Sequence, residues 1–406
     1  MKINQDTFCT APWFQIRNRQ DMTKNVCCLV EMRTEDPGTE SLTPLQYLNS
    51  PKVITMREQM ANGIRVPQCA ECWIKEKSGT QSYRQQINSS LKGPWLDLYF
   101  KQKNNFKTDM VLMSDIKIGN TCNFSCVMCN PSDSSMIYNN WVKNKDNEFV
   151  KEYIDSDKDY FEKAKRNGFK QTTYREYIDN VINNQGITYI KLVGGEPLLD
   201  HKLIKMLCEL PMDRKQKMNL EIVTNGSHDL VEHTTKLGNF KHIQWNISLE
   251  GTRSAQDYSR YGSNWDTIEK NILSLKKITN NICIATCLQA TSITKLHQLI
   301  TWTKQHDVAF SLNLLETPEY LTMDSVPDKL KEQIVDKLRE IGNYNVLENN
   351  KIKSVDINSS IDLINNSTYN INLHKKFKKF IKFYEQGKVL PNFLDVFEEW
   401  RPYFEV

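Results

Sequence analysis

The chain has 406 residues, enough for about two or three domains, and its 39% hydrophobic and 25% charged residues are ordinary for a globular protein. Its 53 basic and 49 acidic side chains leave a net charge of +4, which gives no argument for bulk nucleic-acid binding. No apolar run of about 18 or more residues occurs, so no membrane span is expected. The start, MKINQDTFCTAPW, lacks the basic region, apolar core and cleavage site of a secretory signal, so a cytoplasmic chain is expected. In that reducing setting the 11 cysteines read as metal ligands wherever they cluster, rather than as disulfides.

Residues 1–90 form a cysteine-bearing module with few long periodic segments. It holds Cys9, Cys27, Cys28 and the pair Cys69 and Cys72. Four thiolates drawn from two such pairs suit either a four-iron cluster or a tetrahedral zinc. A polar joint follows near 88–103. From Met110 short apolar runs alternate with amphipathic ones, which gives strands at 113–118, 187–193, 219–223, 242–249, 282–288 and 308–314. Helices are expected between most of them, for example at 201–210 and 265–279. Such alternation implies a parallel sheet with right-handed crossovers. The long crossover 131–186 holds Tyr138, Trp141, Phe149, Tyr153, Tyr160, Phe161, Tyr174 and Tyr177, which read equally as helices over one end of the barrel and as a solvated insertion. The tail is polar from about 349 and ends in an amphipathic helix at 375–385 and an apolar segment at 391–404. Cys208, Cys283 and Cys287 lie in apolar stretches and are expected to pack as small hydrophobes.

The segment DIKIGNTCNFSCVMCN, residues 115–130, contains Cys122, Cys126 and Cys129 spaced as Cys-x3-Cys-x2-Cys directly after the first of the six strands. Three thiolates on one short loop can hold three corners of a cubane cluster, and the fourth iron stays open to a small chelating ligand. Structural zinc usually takes four protein ligands and fits this set poorly. The C-terminal end of a barrel strand is also where barrel folds build their sites.

This loop resembles the signature of the radical S-adenosylmethionine (SAM) superfamily, with Met128 where the family usually carries an aromatic residue beside the adenine. Three further segments are similar to the family's in the same order. They are Gly194-Gly195-Glu196-Pro197 after the second strand, Thr224-Asn225-Gly226 after the third, and Ser248-Leu249-Glu250-Gly251 after the fourth. The resemblance covers roughly residues 110–315 and implies an α/β fold built on a partial (β/α)6 barrel of the TIM type. It implies that Met128, Gly194, Gly195, Glu196, Pro197, Asn225, Ser248, Glu250 and Arg260 bind SAM. Glu196 would meet the methionine ammonium, Ser248 and Glu250 the ribose or carboxylate, and Arg260 the carboxylate. The front module resembles the twitch or SPASM auxiliary-cluster domains, here placed before the barrel. That likeness implies a second 4Fe-4S cluster on Cys9, Cys27, Cys69 and Cys72, with Cys27 preferred to Cys28 by the family's spacing.

The expected organisation is therefore an auxiliary module at 1–90, a radical SAM core at 105–320 and a short helical extension at 321–406. The resemblance implies reductive cleavage of SAM, hydrogen abstraction and an oxidative modification such as dehydrogenation or cross-linking. It favours a peptide or protein side chain as substrate and a reductase or flavodoxin-type electron donor. The alternative substrates are a small sugar, cyclitol or nucleoside. A cluster-bearing sensor or electron carrier is the reading of another class. No catalytic residue beyond the cofactor ligands is assigned.

Overall fold

All six expected strands form, each within two residues of its expected bounds. The computed structural model describes residues 3–19, 23–30, 38–39, 41–77, 79, 81–89, 92–156, 186–348 and 351–404. Its strands are β1 (Gln15–Asn18), β2 (Lys24–Asn25), β3 (Met113–Lys117), β4 (Ser125–Cys126), β5 (Tyr189–Val193), β6 (Asn219–Thr224), β7 (His242–Ser248), β8 (Arg260–Tyr261), β9 (Ile282–Leu288), β10 (Ala309–Leu314), β11 (Asn343–Glu348) and β12 (Lys351–Asp356). Across the main sheet the order is β2-β1-β3-β5-β6-β7-β9-β10. From β1 to β10 every neighbouring pair in that order is parallel, and β2 runs antiparallel at the edge.

The six strands β3, β5, β6, β7, β9 and β10 thus follow one another in chain order, as a partial barrel requires. Helices His201–Glu209, Leu230–Leu237, Trp265–Lys276 and Leu296–Gln305 fall between successive strands from β5 to β10. The strands alternate in character. Ile116, Ile190, Leu192, Leu220, Ile222, Trp245, Ile247, Ile284 and Phe310 are at most 1% exposed. Ile247 shares the surroundings of Gly226 with Ile268 of the helix Trp265–Lys276, so this is the helix-facing side. The opposite side, toward the barrel interior, carries Asp115, Lys191, Glu221, Asn246 and Cys283. Period-two alternation of this kind places the polar set on one face by geometry alone.

Two expectations need correction. The joint near 88–103 contains the helix Pro94–Gln102, and Tyr99 on it packs edge-on against Phe8 and Trp13. The proline at the helix start sets φ for the first turn, while the surrounding polar residues hide the short apolar face from a composition reading. The tail, expected helical, also contains the antiparallel hairpin β11–β12 before the helix Ile371–Glu385. The front module, in turn, contributes β1 to the main sheet beside β3, a pairing its four residues QIRN do not advertise.

Among the described residues of the long crossover, Trp141 and Phe149 are buried, and the helices Ser135–Lys143 and Glu148–Ser156 pack on the tail helix. Phe149 stacks on Phe383, and Trp141 meets Phe383 and Tyr153 edge-on. These side chains are core, not an open groove. Tyr160, Phe161, Tyr174 and Tyr177 lie outside the described residues. No helix among the described residues is long and apolar enough to cross a membrane.

Candidate active site

The cysteine loop leaves β3 and is held from three sides. Its two-residue strand β4 pairs with β8, which sets Cys126 opposite Arg260. The Val127 amide donates to Ser259 O at 2.9 Å. From below, the Gly195 amide donates to Gly119 O and the Glu196 amide to Thr121 O, both at 2.8 Å. From above, the Tyr384 hydroxyl of the tail helix lies 2.9 Å from Ser125 O and 3.0 Å from Tyr258 O. A fourth tie runs through side chains: Asn225 Nδ2 donates to Asn123 Oδ1 at 2.8 Å, and Asn123 Nδ2 to Ser227 Oγ at 3.0 Å.

The two glycines of Gly194-Gly195 serve this clamp. A Cβ on Gly195 would stand 2.1 Å from Thr121 O, and Gly194, at φ 143°, would bring one within 2.8 Å of Gly119 O. Close backbone approach is what glycine permits here, and what it approaches is the cysteine loop itself.

Cys126 is buried, and Cys122 and Cys129 are half-buried. Burial pushes the Cys126 thiol up to about 11, opposed by the Arg260 charge. Burial also raises Cys122, and it raises Cys129 with help from Asp133, Cys126 and Cys122. Thiols this reluctant to ionise bind as thiolates only when a cation compensates them. Arg260 Nη1 lies 3.7 Å from Cys126 Sγ and begins that compensation. Among the described residues no three His, Cys, Asp or Glu side chains converge tightly enough to hold a single metal ion. A cubane offers each thiolate its own iron and therefore takes a wider spacing. Three mutually coupled thiols on one loop, beside a guanidinium, fit that group.

The residues expected to meet SAM are gathered around the loop, several of them already engaged. Glu196 is 3% exposed; its Oε1 accepts from Leu198 N and Thr224 Oγ1, and its Oε2 from Asn225 N at 2.7 Å. Pro197 follows it as the first residue of a short turn, Pro197–Leu199. Glu250 is fully buried and paired with Arg260 Nη2 at 2.7 Å; its other oxygen accepts from Cys287 N and Gln289 Nε2. Arg260, expected to await a carboxylate, has one within the chain. Burial opposes its charge, but Cys126 and Glu250 outweigh that and hold its pKa above the ordinary value. Ser248 ends β7 half-buried, and Met128 packs partly buried against the core.

Sequence reading missed several neighbours. Cys287 packs beside the site: its backbone amide donates to Glu250, and its thiol, raised by burial, lies within electrostatic reach of Glu250, Arg260 and Cys126. Its place four residues after Cys283, on the same strand face, was the available signal. Lys388 from the tail lines a crevice with Cys126 and Cys129, over the rings of Tyr384 and Tyr261. Nothing local marks it. Lys117 pairs with Asp133 beside Cys129.

In the front module Cys9 precedes the helix Ala11–Phe14, Cys69 ends the turn Pro67–Cys69 and Cys72 lies one helical turn on. Burial, then the charge of Cys69, raises Cys9. Burial, then Cys72, pushes Cys69 up to about 12. Cys27 is raised by burial and by Cys28, Cys9 and Cys69. Cys28 instead takes Asp115, Arg17 and Lys191 as its neighbours, on the barrel side.

Residues 116–289 match the family model described as the radical SAM superfamily, which implies a 4Fe-4S cluster and SAM. No curated protein matches the chain. Among solved structures, native anSMEcpe with bound AdoMet is 17% identical over 57% of this chain and 59% of its own, with a TM-score of 0.36. Streptococcus suis SuiB bound to S-adenosylmethionine is 15% identical over 67% and 58%, at 0.36. SuiB bound to precursor peptide SuiA is 14% identical over 71% and 63%, also at 0.36. The chain spans about three-fifths of these proteins' lengths, and likeness at this level carries no argument about chemistry. The family match spans the segment that holds the cysteine loop and the three further motifs, so the likeness to the radical SAM superfamily rests on residues 116–289.

Proposed function

We propose that the chain is a radical SAM enzyme that oxidatively modifies a peptide or protein side chain. The observation that carries the reading is the loop of Cys122, Cys126 and Cys129, clamped by Gly194 and Gly195 and set against Arg260. Cys122, Cys126 and Cys129 would hold a 4Fe-4S cluster, which when bound would supply the one-electron reduction of SAM to methionine and a hydrogen-abstracting 5′-deoxyadenosyl radical. The chain's own residues hold and shield. Arg260 places positive charge near Cys126, which favours its ionised form, whereas burial pulls the neighbouring Lys388 down to about 7. Trp141, Phe383 and Tyr384 line the crevice beside the loop and exclude water, as a radical intermediate needs.

Cys9, Cys27, Cys69 and Cys72 are proposed to hold a second cluster that accepts the electron left on the substrate. Four cysteines close every iron and suit electron acceptance rather than substrate ligation. Replacing Cys69 and Cys72 together by Ala should keep 5′-deoxyadenosine formation and abolish product from a co-expressed substrate peptide. Survival of product formation would show the front module to be structural only.

A further inference from the structure

Parallel register places four charged residues in one row. Arg17 on β1 lies opposite Asp115 on β3, Asp115 opposite Lys191 on β5, and Lys191 opposite Glu221 on β6. Residues opposite one another in a parallel sheet share a face, and this is the interior face. Two residues further along β3, on the same face, Lys117 approaches Asp133 and Cys129. At about 3.3 Å per residue the row lies ~7 Å below that level. It forms a floor under the cysteine loop.

One end of the floor is saturated. Lys191 pairs with Glu221 at 2.7 Å, the Tyr189 hydroxyl donates to Glu221, and Asn246 Nδ2 donates to it at 2.5 Å. The other end is not. Arg17 Nη1 donates to Asp115 Oδ2 at 2.6 Å. Asp115 Oδ1, Arg17 Nε and Gln15 Nε2 have no hydrogen-bond partner among the described residues. Asp115, Arg17 and Gln15 are only 0%, 6% and 2% exposed. Buried polar atoms are rarely left unmatched because their desolvation is then uncompensated, so a partner is called for. Half-buried Cys28 and Lys191 border this end.

We propose that Gln15, Arg17 and Asp115 bind an uncharged carboxamide of the substrate, its N–H on Asp115 Oδ1 and its carbonyl on Arg17 Nε or Gln15 Nε2. One acceptor beside two donors is the complement of an amide. A carboxylate would meet the charge of Asp115, and an ammonium would meet Arg17 and Lys191. The front module thereby supplies part of the substrate chamber through β1, whatever metal its cysteines hold. This rests on the radical SAM reading above.

Three probes of one shape test it: propionamide, propionate and propylammonium, each titrated into the cluster-loaded protein with SAM and followed by saturation-transfer NMR. Propionamide should bind at least about tenfold more tightly than either charged probe, the usual scale when a buried polar set is matched or left unpaired. Asp115→Asn removes the negative charge and should bring propionate to within about threefold of propionamide. Gln15→Leu changes no charge and should weaken propionamide about tenfold. Equal binding of the three probes would overturn the proposal, as would an unchanged ranking in a folded Asp115→Asn or Gln15→Leu protein. 5′-Deoxyadenosine is measured in the same samples. Its absence beside selective propionamide binding counts against the enzyme reading and not against the floor.

Discussion

Burial pushes the Glu196 carboxyl up to about 7 even though three donors oppose it. The sign of the consequence follows directly. Between the ordinary value of 4.5 and about 7 the folded chain keeps a proton that the unfolded chain has released. The stabilisation is therefore full below pH ~4.5 and lost as pH rises through ~7. The metal-free protein should melt several degrees lower at about pH 8 than at about pH 5, and Glu196→Gln should flatten that slope. Parallel slopes for the two proteins in a melting series would show that Glu196 does not titrate there. Gly195 makes a second test at this scale. A methyl group placed 2.1 Å from Thr121 O must displace the loop backbone, which no side-chain rotation relieves. Gly195→Ala should cost about 1–3 kcal/mol and lower the iron retained by the loop, read by iron analysis and thermal melting. Retention of wild-type iron and stability would mean that the clamp is not tight.

The elements were unevenly legible. The six barrel strands announce themselves because one face of each is apolar and buried, as at Ile116, Ile190, Leu220 and Ile284. The cysteine loop is legible because three thiolates must sit on a short segment to reach one cluster. β1 is not, because Gln15, Arg17 and Asn18 are polar residues whose partners lie about a hundred positions away in Asp115 and its neighbours. Tyr384 and Lys388 escape for the same reason: their role is set by where the tail helix docks, not by their own segment. β1 also covers the edge of β3, which would otherwise expose unpaired backbone groups. A fragment spanning residues 105–406 should therefore aggregate or lose its cooperative melt, checked by soluble yield and circular dichroism. A soluble fragment with the full protein's melting temperature would make the front module an independent appendage.

At the scale of the molecule, three parts of the chain close on one loop. The front module adds β1 and its cysteines, the barrel supplies the glycine clamp and Arg260, and the tail covers the loop through Phe383 and Tyr384 of its helix and Lys388 just beyond it. The aromatic packing of Trp141 and Phe149 against Phe380 and Phe383 fixes that cover in place. Such an enclosure suits a reaction that must be kept from water and stray thiols. The most direct test is anaerobic reconstitution with iron and sulfide, reduction, addition of SAM and quantification of 5′-deoxyadenosine, with Cys129→Ala in parallel. The intact protein should give 5′-deoxyadenosine and the variant none above background. Equal yields from both would contradict the account, as would no product from an intact cluster whose reduced spectrum does not respond to SAM.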